Sequence, residues 1–214
     1  MINMTTINEI DVKCSVCNNM TTQRIIMSSN HFGHNDLDTR PSEMFRSTIG
    51  MWINECPHCG YVASRVDKEL IIDDDFLKTD KYRTCDGIEF KSNIANLFYK
   101  QYLIERKKGN DVDAFFAILH CAWACDDAWD DENSKLARKT AVKLTDNIIE
   151  SYEIDSIDLK VMKADLLRRS GEFDQVIEEY NDLSLDDSHL NRIIRFQVEK
   201  ARQKDSKCYS LDDV

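Results

Sequence analysis

The spacing of apolar residues predicts a series of amphipathic helices over the larger part of the chain, after residue 66. Five stretches place apolar side chains three or four positions apart, the spacing that puts them on one face of a helix. Each face needs a neighbouring element to cover it, and short polar connections favour antiparallel helical hairpins. The five faces are Phe90, Ile94, Leu97 and Phe98; Phe115, Ile118, Leu119, Ala122 and Trp123; Leu136, Thr140, Ala141, Leu144 and Ile148; Ile157, Val161, Ala164 and Leu167; and Phe173, Val176, Ile177, Tyr180 and Leu183.

Proline and glycine divide the chain in the same way. Both prolines, Pro41 and Pro57, and half of the six glycines lie within the first 60 residues. Because proline breaks helices and glycine weakens them, the first region is predicted to form loops and short strands. The predicted fold class is therefore mainly α, with a small β region at the N-terminus followed by stacked antiparallel helical hairpins.

One predicted hairpin resembles a tetratricopeptide repeat. The residues at the positions typical of that family are Ala164, Leu167, Gly171, Phe173, Val176 and Tyr180. They follow its order of small and large residues, a glycine turn and two aromatic positions. Val176 stands where the family prefers alanine, and no proline closes the unit. An ordinary helical hairpin is the alternative, and both interpretations predict a stacked helical domain.

Two cysteine pairs are the strongest chemical signal in the chain. Cys14 and Cys17 stand in KCSVCNN, and Cys56 and Cys59 stand in NECPHCGY, with 38 residues between the pairs. Two C-x2-C turns that supply four thiolates are the arrangement of a structural, tetrahedral zinc site. An asparagine and a glycine follow the two pairs, and these residue types best tolerate the positive φ of such a turn. The sequence predicts a zinc ribbon whose Zn²⁺ is structural, because four protein ligands leave no open position for chemistry.

Other uses of the cysteines and of nearby histidines stay open. The loop between the pairs contains HFGH, so a Cys2His2 site with His31 and His34 is one alternative. A redox-active pair is another, although no βαβ pattern surrounds either pair. Cys121 and Cys125 are four positions apart on a predicted helix and could belong to a second metal site. Buried cysteines that act as small apolar residues are much commoner.

The polar loop DLDTRP carries a second candidate site. Asp36, Asp38 and Arg40 follow closely after His31 and His34. These five side chains would form a polar or acid–base site if they met in one cleft. A loop held by Asx turns and an Asp–Arg pair is the alternative.

Four segments together resemble an uncharacterised family of bacterial proteins, domain of unknown function 2225. They are KCSVCNN, NHFGHNDLDTRP, FRSTIGMWINECPHCGYVA and HCAWACDD. The resemblance covers roughly residues 10–66 and 113–150. It implies an N-terminal zinc-ribbon-like segment joined to a helical, repeat-like part, and it implies a bound metal. No activity is established for that family, so none is implied.

Composition and charge limit the classes of partner. Hydrophobic residues make up 42% and charged residues 31% of the 214 positions, which is typical of a folded protein. No apolar run approaches the roughly 20 residues that span a bilayer, and the N-terminus lacks a secretory pattern. We therefore expect a cytoplasmic protein with reduced thiols. The net charge is −11, of which residues 1–66 carry only −1. The acidic remainder repels phosphate backbones and disfavours nucleic acid as a partner.

The sequence predicts three segments: a zinc-ribbon domain at 1–66, an α-helical repeat-like domain at 67–205 and a flexible tail at 206–214. The leading functional hypothesis is a zinc-binding interaction module whose helical scaffold holds a protein or peptide partner. The alternatives are a nucleic-acid-associated zinc-ribbon protein and an enzyme built on the polar loop site. Glycine-rich phosphate loops, G-x-S-x-G and H-E-x-x-H motifs do not occur in the sequence, which disfavours an enzyme.

Overall fold

The computed structural model describes residues 5–152 and 157–214, and in these ranges the protein is mainly helical. The predicted fold class is confirmed at this level, with the β structure confined to the N-terminal region. The strands are β1 (Thr5–Lys13), β2 (Met20–Ser29), β3 (His31–Phe32), β4 (Glu43–Met44), β5 (Asn54–Glu55) and β6 (Val62–Ala63). The α-helices are α1 (Asp80–Arg83), α2 (Asn93–Lys108), α3 (Asp111–Asp127), α4 (Asp131–Tyr152), α5 (Ile157–Ser170), α6 (Phe173–Tyr180) and α7 (Ser188–Arg202).

The β structure consists of three antiparallel pairs: β1 with β2, β3 with β4, and β5 with β6. β1 and β2 form a hairpin in which Thr5 lies opposite Ser29 and Lys13 opposite Met20. These strands have 9 and 10 residues and are longer than the short strands expected. Each has only one buried side chain, so their sequences lack the alternation of apolar and polar residues that signals a half-buried strand.

The helices pack in sequence order, with α3 between α2 and α4, and with α5 against α4, α6 and α7. Tight turns make this possible. α2 ends at Gly109, whose φ of 75° is favourable for glycine. The side chain of Asn110 then accepts a hydrogen bond from the N–H of Asp113 and caps α3. α7 was not among the five predicted faces, although Ile193, Ile194 and Val198 are buried on it and Asp187 caps its N-terminus.

The buried face of α4 differs from the predicted face in the first turns of the helix. Leu136 is 43% exposed, whereas Arg138 is only 1% exposed and Ala137, Ala141 and Leu144 are buried. The prediction is confirmed for Ala141, Leu144 and Ile148, and it is wrong at Leu136 because the first turns of this face contain a buried cation instead. The partners of that cation are described with the candidate site below.

The segment 206–214, predicted to be a flexible tail, is instead fixed to the body of the protein. The N–H of Leu37 donates to the carbonyl oxygen of Tyr209 at 2.9 Å, and the N–H of Leu211 donates to that of Asn35 at 3.1 Å. A guanidinium nitrogen of Arg168 also donates to the carbonyl oxygens of residues 205 and 207, each at 2.8 Å. These bonds involve backbone groups, which leave no pattern in the sequence. In the part of the chain described, no helix is both long enough and apolar enough to cross a membrane.

His120 lies among aromatic rings in the core. Its ring centroid is 4.9 Å from that of Trp123, 5.2 Å from Phe98 and 5.3 Å from Trp52. Burial disfavours the charged imidazolium and lowers the pKa of His120 to about 4, with Asp38 opposing the shift. The unfolded chain binds this proton near pH 6.5, so the unfolded state takes up more protons than the folded state between pH 6.5 and 4.

We therefore expect the free energy of unfolding to fall as the pH is lowered from 6.5 to 4. The contribution of His120 is about 3 kcal/mol over that range, at roughly 1.4 kcal/mol for each pKa unit. Urea unfolding at several pH values measures it, and His120→Gln should flatten the slope. His189→Gln, at an exposed position, serves as the control and should leave the slope unchanged. Equal slopes in the wild type and His120→Gln would contradict the prediction.

Candidate functional site

Each cysteine pair forms a tight turn, and the two turns have the same backbone pattern. In the first, the N–H of Asn18 donates to the carbonyl oxygen of Cys14 at 3.0 Å. In the second, the N–H of Gly60 donates to that of Cys56 at 2.9 Å. Asn18 and Gly60 have φ values of 60° and 75°. The asparagine and the glycine thus adopt the left-handed conformation that the sequence predicted for them, and each turn directs its two thiols to the same side.

The four sulfur atoms face one another. The Sγ atoms of Cys14 and Cys59 are 3.7 Å apart, those of Cys17 and Cys56 are 3.6 Å apart, and all four lie within 4.8 Å of one another. Four thiolates around a tetrahedral zinc ion at about 2.3 Å lie about 3.8 Å from one another. A disulfide would need a separation of about 2.0 Å, and these cysteines are free. The cluster is therefore compatible with a zinc site.

The four thiols of this cluster differ in burial and in the direction of their pKa shifts. Cys14 and Cys56 are fully buried, while Cys17 and Cys59 are partly exposed. Burial raises the pKa of Cys14 and of Cys59. At Cys17, burial also acts upward, but it is outweighed by hydrogen bonds, first from the backbone N–H of Asn19, which bring the pKa down to about 6. Four thiolates so close together repel one another, and a divalent cation removes that repulsion.

Hydrogen bonds attach the cysteine turns to the helical part. The hydroxyl of Tyr82, on α1, donates to the carbonyl oxygen of Gly60 at 2.7 Å. Lys100, on α2, forms an ion pair with Glu55 at 2.7 Å. Cys14, Cys56 and residues of the helices also belong to one contiguous hydrophobic core. A change at the cysteine cluster should therefore affect the packing of α1 and α2.

Histidines do not take part in this cluster. Within the described residues, the close group of ligand atoms at the two turns contains the four cysteines alone. His58 lies inside the second turn but is exposed. His31 packs against the ring of Phe45, with centroids 5.1 Å apart. His34 contacts the carboxylate of Asp212 at 2.6 Å, and both side chains are exposed.

Asp38 is the centre of a buried charge network. Its side chain is 0% exposed. Its Oδ2 atom accepts hydrogen bonds from a guanidinium nitrogen of Arg169 at 2.8 Å and from the indole nitrogen of Trp123 at 2.9 Å. Arg138 lies 3.5 Å from the same oxygen. Burial acts to raise the pKa of Asp38, but the charges of Arg169 and Arg138 outweigh it, so the pKa is lowered and the carboxylate is charged at neutral pH.

A second carboxylate completes this network at the end of α3. Asp126 accepts hydrogen bonds from Arg138 at 2.6 Å and from Arg169 at 2.7 Å. Burial opposes ionisation here too, yet the neighbouring guanidinium groups, Arg138 first, lower the pKa of Asp126 to about 2. Beside it, a guanidinium nitrogen of Arg40 contacts both oxygens of Asp127 at 2.7 and 2.6 Å. The DLDTRP loop and the AWACDD segment, singled out separately in the sequence, are thus joined by these pairs.

The five side chains of the predicted polar site have different partners. Asp36 pairs with Arg46 and accepts a hydrogen bond from the thiol of Cys208 at 3.1 Å. Asp38 and Arg40 are taken up in the ion pairs described above, and the two histidines lie at exposed positions outside them. The arrangement matches the loop interpretation, in which Asp–Arg pairs hold the backbone. The structure does not bring all five side chains to one cleft.

Cys85, Cys121 and Cys125, three of the four cysteines outside the cluster, are buried in the core. Cys121 and Cys125 are fully buried on α3, and burial raises the pKa of Cys121 well above its usual value. The thiol of Cys85 donates to the side-chain oxygen of Asn96 at 3.5 Å. Within the described residues, these cysteines belong to no group of three or more ligand atoms close enough to hold a metal. They pack as core residues.

Sequence reasoning missed the two arginines of the charge network. Arg138 and Arg169 lie on helices where the apolar stripe marks the buried face, and charged residues outside a stripe are expected in solvent. The available signal was the pairing of unusually acidic and basic segments, AWACDDAWDD and LLRRS, next to predicted turns. Comparison with protein-family models, with curated proteins and with solved structures gives no match for this chain. Its function must therefore be argued from its own geometry.

Proposed function

We propose that this protein is a zinc-stabilised interaction module. In this proposal, Cys14, Cys17, Cys56 and Cys59 hold a structural zinc ion in a ribbon-like fold, and the helices form a scaffold for a protein or peptide partner. The observation that carries it is the convergence of the four sulfur atoms. Each sulfur of the first turn lies 3.6 or 3.7 Å from one sulfur of the second turn. A four-thiolate zinc ion has no open coordination position, so its role is to stabilise the fold.

The arrangement of the helices supports the scaffold part of the proposal. Consecutive helices from α2 to α5 pack side by side, and α5 and α6 are joined at Gly171, which has a φ of 88°. In this proposal the hairpin is a degenerate tetratricopeptide unit. Units of that kind bind peptides on the surface that successive helices share. The proposal also includes the resemblance to domain of unknown function 2225, a family that joins a zinc-ribbon-like segment to a helical, repeat-like part.

The polar loop supports a structural rather than a catalytic role for this region. Asp38 and Arg40 are buried in ion pairs with helices α3 to α5. Such pairs fix the loop against the scaffold, and the lowered pKa of Asp38 keeps its carboxylate charged at neutral pH. The acidic character of the chain, −11 overall, further favours a protein partner with basic residues over a nucleic acid.

The first test is the metal content of protein purified without added metal, measured by elemental mass spectrometry. We expect about one zinc ion per chain, retained in His34→Ala because the histidine lies outside the cluster. The second test is reconstitution of a complex from purified components, after a partner captured by the tagged protein has been identified. A stoichiometric complex that forms with the zinc-loaded protein supports the module. Zinc lost in His34→Ala, or turnover of a small-molecule substrate, would overturn the proposal.

A further inference from the structure

A polar cavity of about 380 Å³ opens beside the buried charge network. It lies between the α3–α4 turn, the first turns of α4, the end of α5 and the fixed segment at residues 206–208. Asp126, Arg138 and Arg169 line its inner part, and Trp129, Lys135 and Lys207 line its outer part. Its volume falls within the range of small-molecule sites. It is separate from the cysteine cluster, which contributes no lining residue.

Trp129 is held in an unusual way at this cavity. Its side chain is 84% exposed, the largest value among the exposed apolar residues described. Its φ is 54°, a conformation that bulky residues seldom adopt. The backbone of Trp129 is nevertheless well fixed. Its N–H donates to the carbonyl oxygen of Asp126 at 3.1 Å, and the ammonium group of Lys91 donates to the carbonyl oxygen of Trp129 at 2.8 Å. A rigid backbone thus presents a large flat ring to solvent at the edge of a cavity.

The charges around the cavity are unusual for an acidic protein. Lys135 and Lys207 are exposed, and neither ammonium group has an ion-pair partner among the described residues. Asp131 also lies on the rim, so the two lysines leave an excess of positive charge there. Behind them, Arg138 and Arg169 are balanced by Asp38 and Asp126, as described above. The rim is thus a cationic surface on a chain whose net charge is −11.

Arg138, which lines the inner part of the cavity, has one unsatisfied donor. Arg138 is 1% exposed, and its Nε atom is buried without a hydrogen-bond acceptor in the described structure. Unpaired buried donors are rare in folded proteins because their desolvation is not compensated. The Nη atoms of Arg138 are fixed by Asp126 and Ser134, so its guanidinium group is held in place. Arg169 is held in the same way by Asp38 and Asp126, so the inner wall of the cavity is a fixed network of paired charges.

We propose that this cavity binds a small anion that carries a planar ring. The ring stacks on Trp129, and the acidic group, a phosphate or a carboxylate, lies between Lys135 and Lys207 with Arg169 behind it. Stacking on an exposed indole suits any flat ring. Charge-assisted hydrogen bonds from ammonium and guanidinium groups suit either acid. Nucleoside phosphates and aromatic carboxylates are the two ligand classes with this chemistry. The inference does not depend on the metal or on a protein partner.

Fluorescence of the metal-loaded, full-length protein tests the proposal. Trp123 is buried and Trp52 is partly buried, so quenching by a small ligand reports mainly on Trp129. We expect saturable quenching by adenosine monophosphate or by 1-naphthoate, which represent the nucleoside phosphates and the aromatic carboxylates. Adenosine, which has the ring alone, and inorganic phosphate, which has the acid alone, should each bind at least about tenfold more weakly. Absence of saturable binding by both anions at low salt would overturn the proposal.

Substitutions then locate the site, with calorimetry as the readout. Lys135→Glu and Lys207→Glu should each weaken binding about tenfold, the effect of losing one close charge contact. Trp129→Ala should weaken it by a similar factor. Lys143→Glu is the matched control, because Lys143 is also exposed on α4 but does not line the cavity. All four positions are exposed, so the variants should fold. Equal weakening by Lys143→Glu, or none by the two rim variants, would show that binding occurs elsewhere.

Discussion

Replacing Cys56 with serine is expected to abolish metal binding and to unfold the N-terminal part of the protein. Cys56 is fully buried, and its sulfur lies 3.6 Å from that of Cys17. A serine hydroxyl stays protonated at neutral pH and is a poor zinc ligand, so three thiolates would remain around the site. Metal binding to small zinc domains is worth about 10–16 kcal/mol, and that free energy is coupled to folding. We therefore expect the free energy of unfolding to fall by about 5 kcal/mol or more.

The zinc content per chain and chemical unfolding measure these two effects. Cys85→Ser is the matched control, since Cys85 is also buried but lies outside the cluster. The thiol of Cys85 donates to Asn96, and a serine hydroxyl at this position can donate to the same oxygen. Cys85→Ser should therefore retain its zinc. Full zinc occupancy in Cys56→Ser would show that the four-cysteine site is not the metal site.

Replacing Asp38 with asparagine is expected to destabilise the protein by about 3–5 kcal/mol, the range observed when one partner of a buried ion pair is removed. The change leaves Arg138 and Arg169 with one carboxylate, Asp126, and places an amide group where the indole of Trp123 now donates. Buried cations without a counter-ion cannot recover their hydration. The loss is expected in chemical unfolding of the metal-loaded protein, with the zinc content unchanged.

Retention of zinc separates this effect from damage to the cysteine cluster. Asp75→Asn is the comparison variant, because Asp75 pairs with Lys78 on the surface, where both side chains are exposed. Surface ion pairs of this kind contribute little, so that variant should unfold like the wild type. If Asp38→Asn were as stable as Asp75→Asn, the buried network would not be a determinant of stability. The loop at Asp38 would then be held by its backbone contacts alone.

The cysteine turns could be predicted from sequence because their geometry is local. The spacing C-x2-C and the residue after each pair fix the direction of the thiols within five residues. The pairing of the two turns follows from the chemistry of zinc, which requires four ligands. The helical part was predictable for a similar reason, since α2, α3, α5 and α6 contain apolar residues at helical spacing. The limits of these helices differ from the predicted faces by only a few residues. Phe90 lies just before the start of α2, and Leu183 lies just after the end of α6.

The charge network could not be predicted because it depends on tertiary contacts. Asp38 and Arg169 are separated by 131 positions in the chain, and Arg40 and Asp127 by 87. A charged residue inside a helix normally indicates a solvated face, so the buried position of Arg138 on α4 was not predicted. The sequence suggested that DLDTRP was either a polar site or a loop held by ion pairs. Only the fold decides which helices supply the opposite charges.

The contacts around Asp36 have a consequence for the synthesis of this protein on the ribosome. Asp36 contacts the thiol of Cys208, 172 positions later, and the neighbouring Leu37 is bonded to Tyr209. The loop is therefore translated early but cannot reach its final conformation until most of the chain has emerged. Regions with such distant contacts fold late, since closure of a long loop must come before the contacts form. We expect the cysteine turns to fold during translation and the Asp36 loop to remain accessible to proteases until translation nears residue 209.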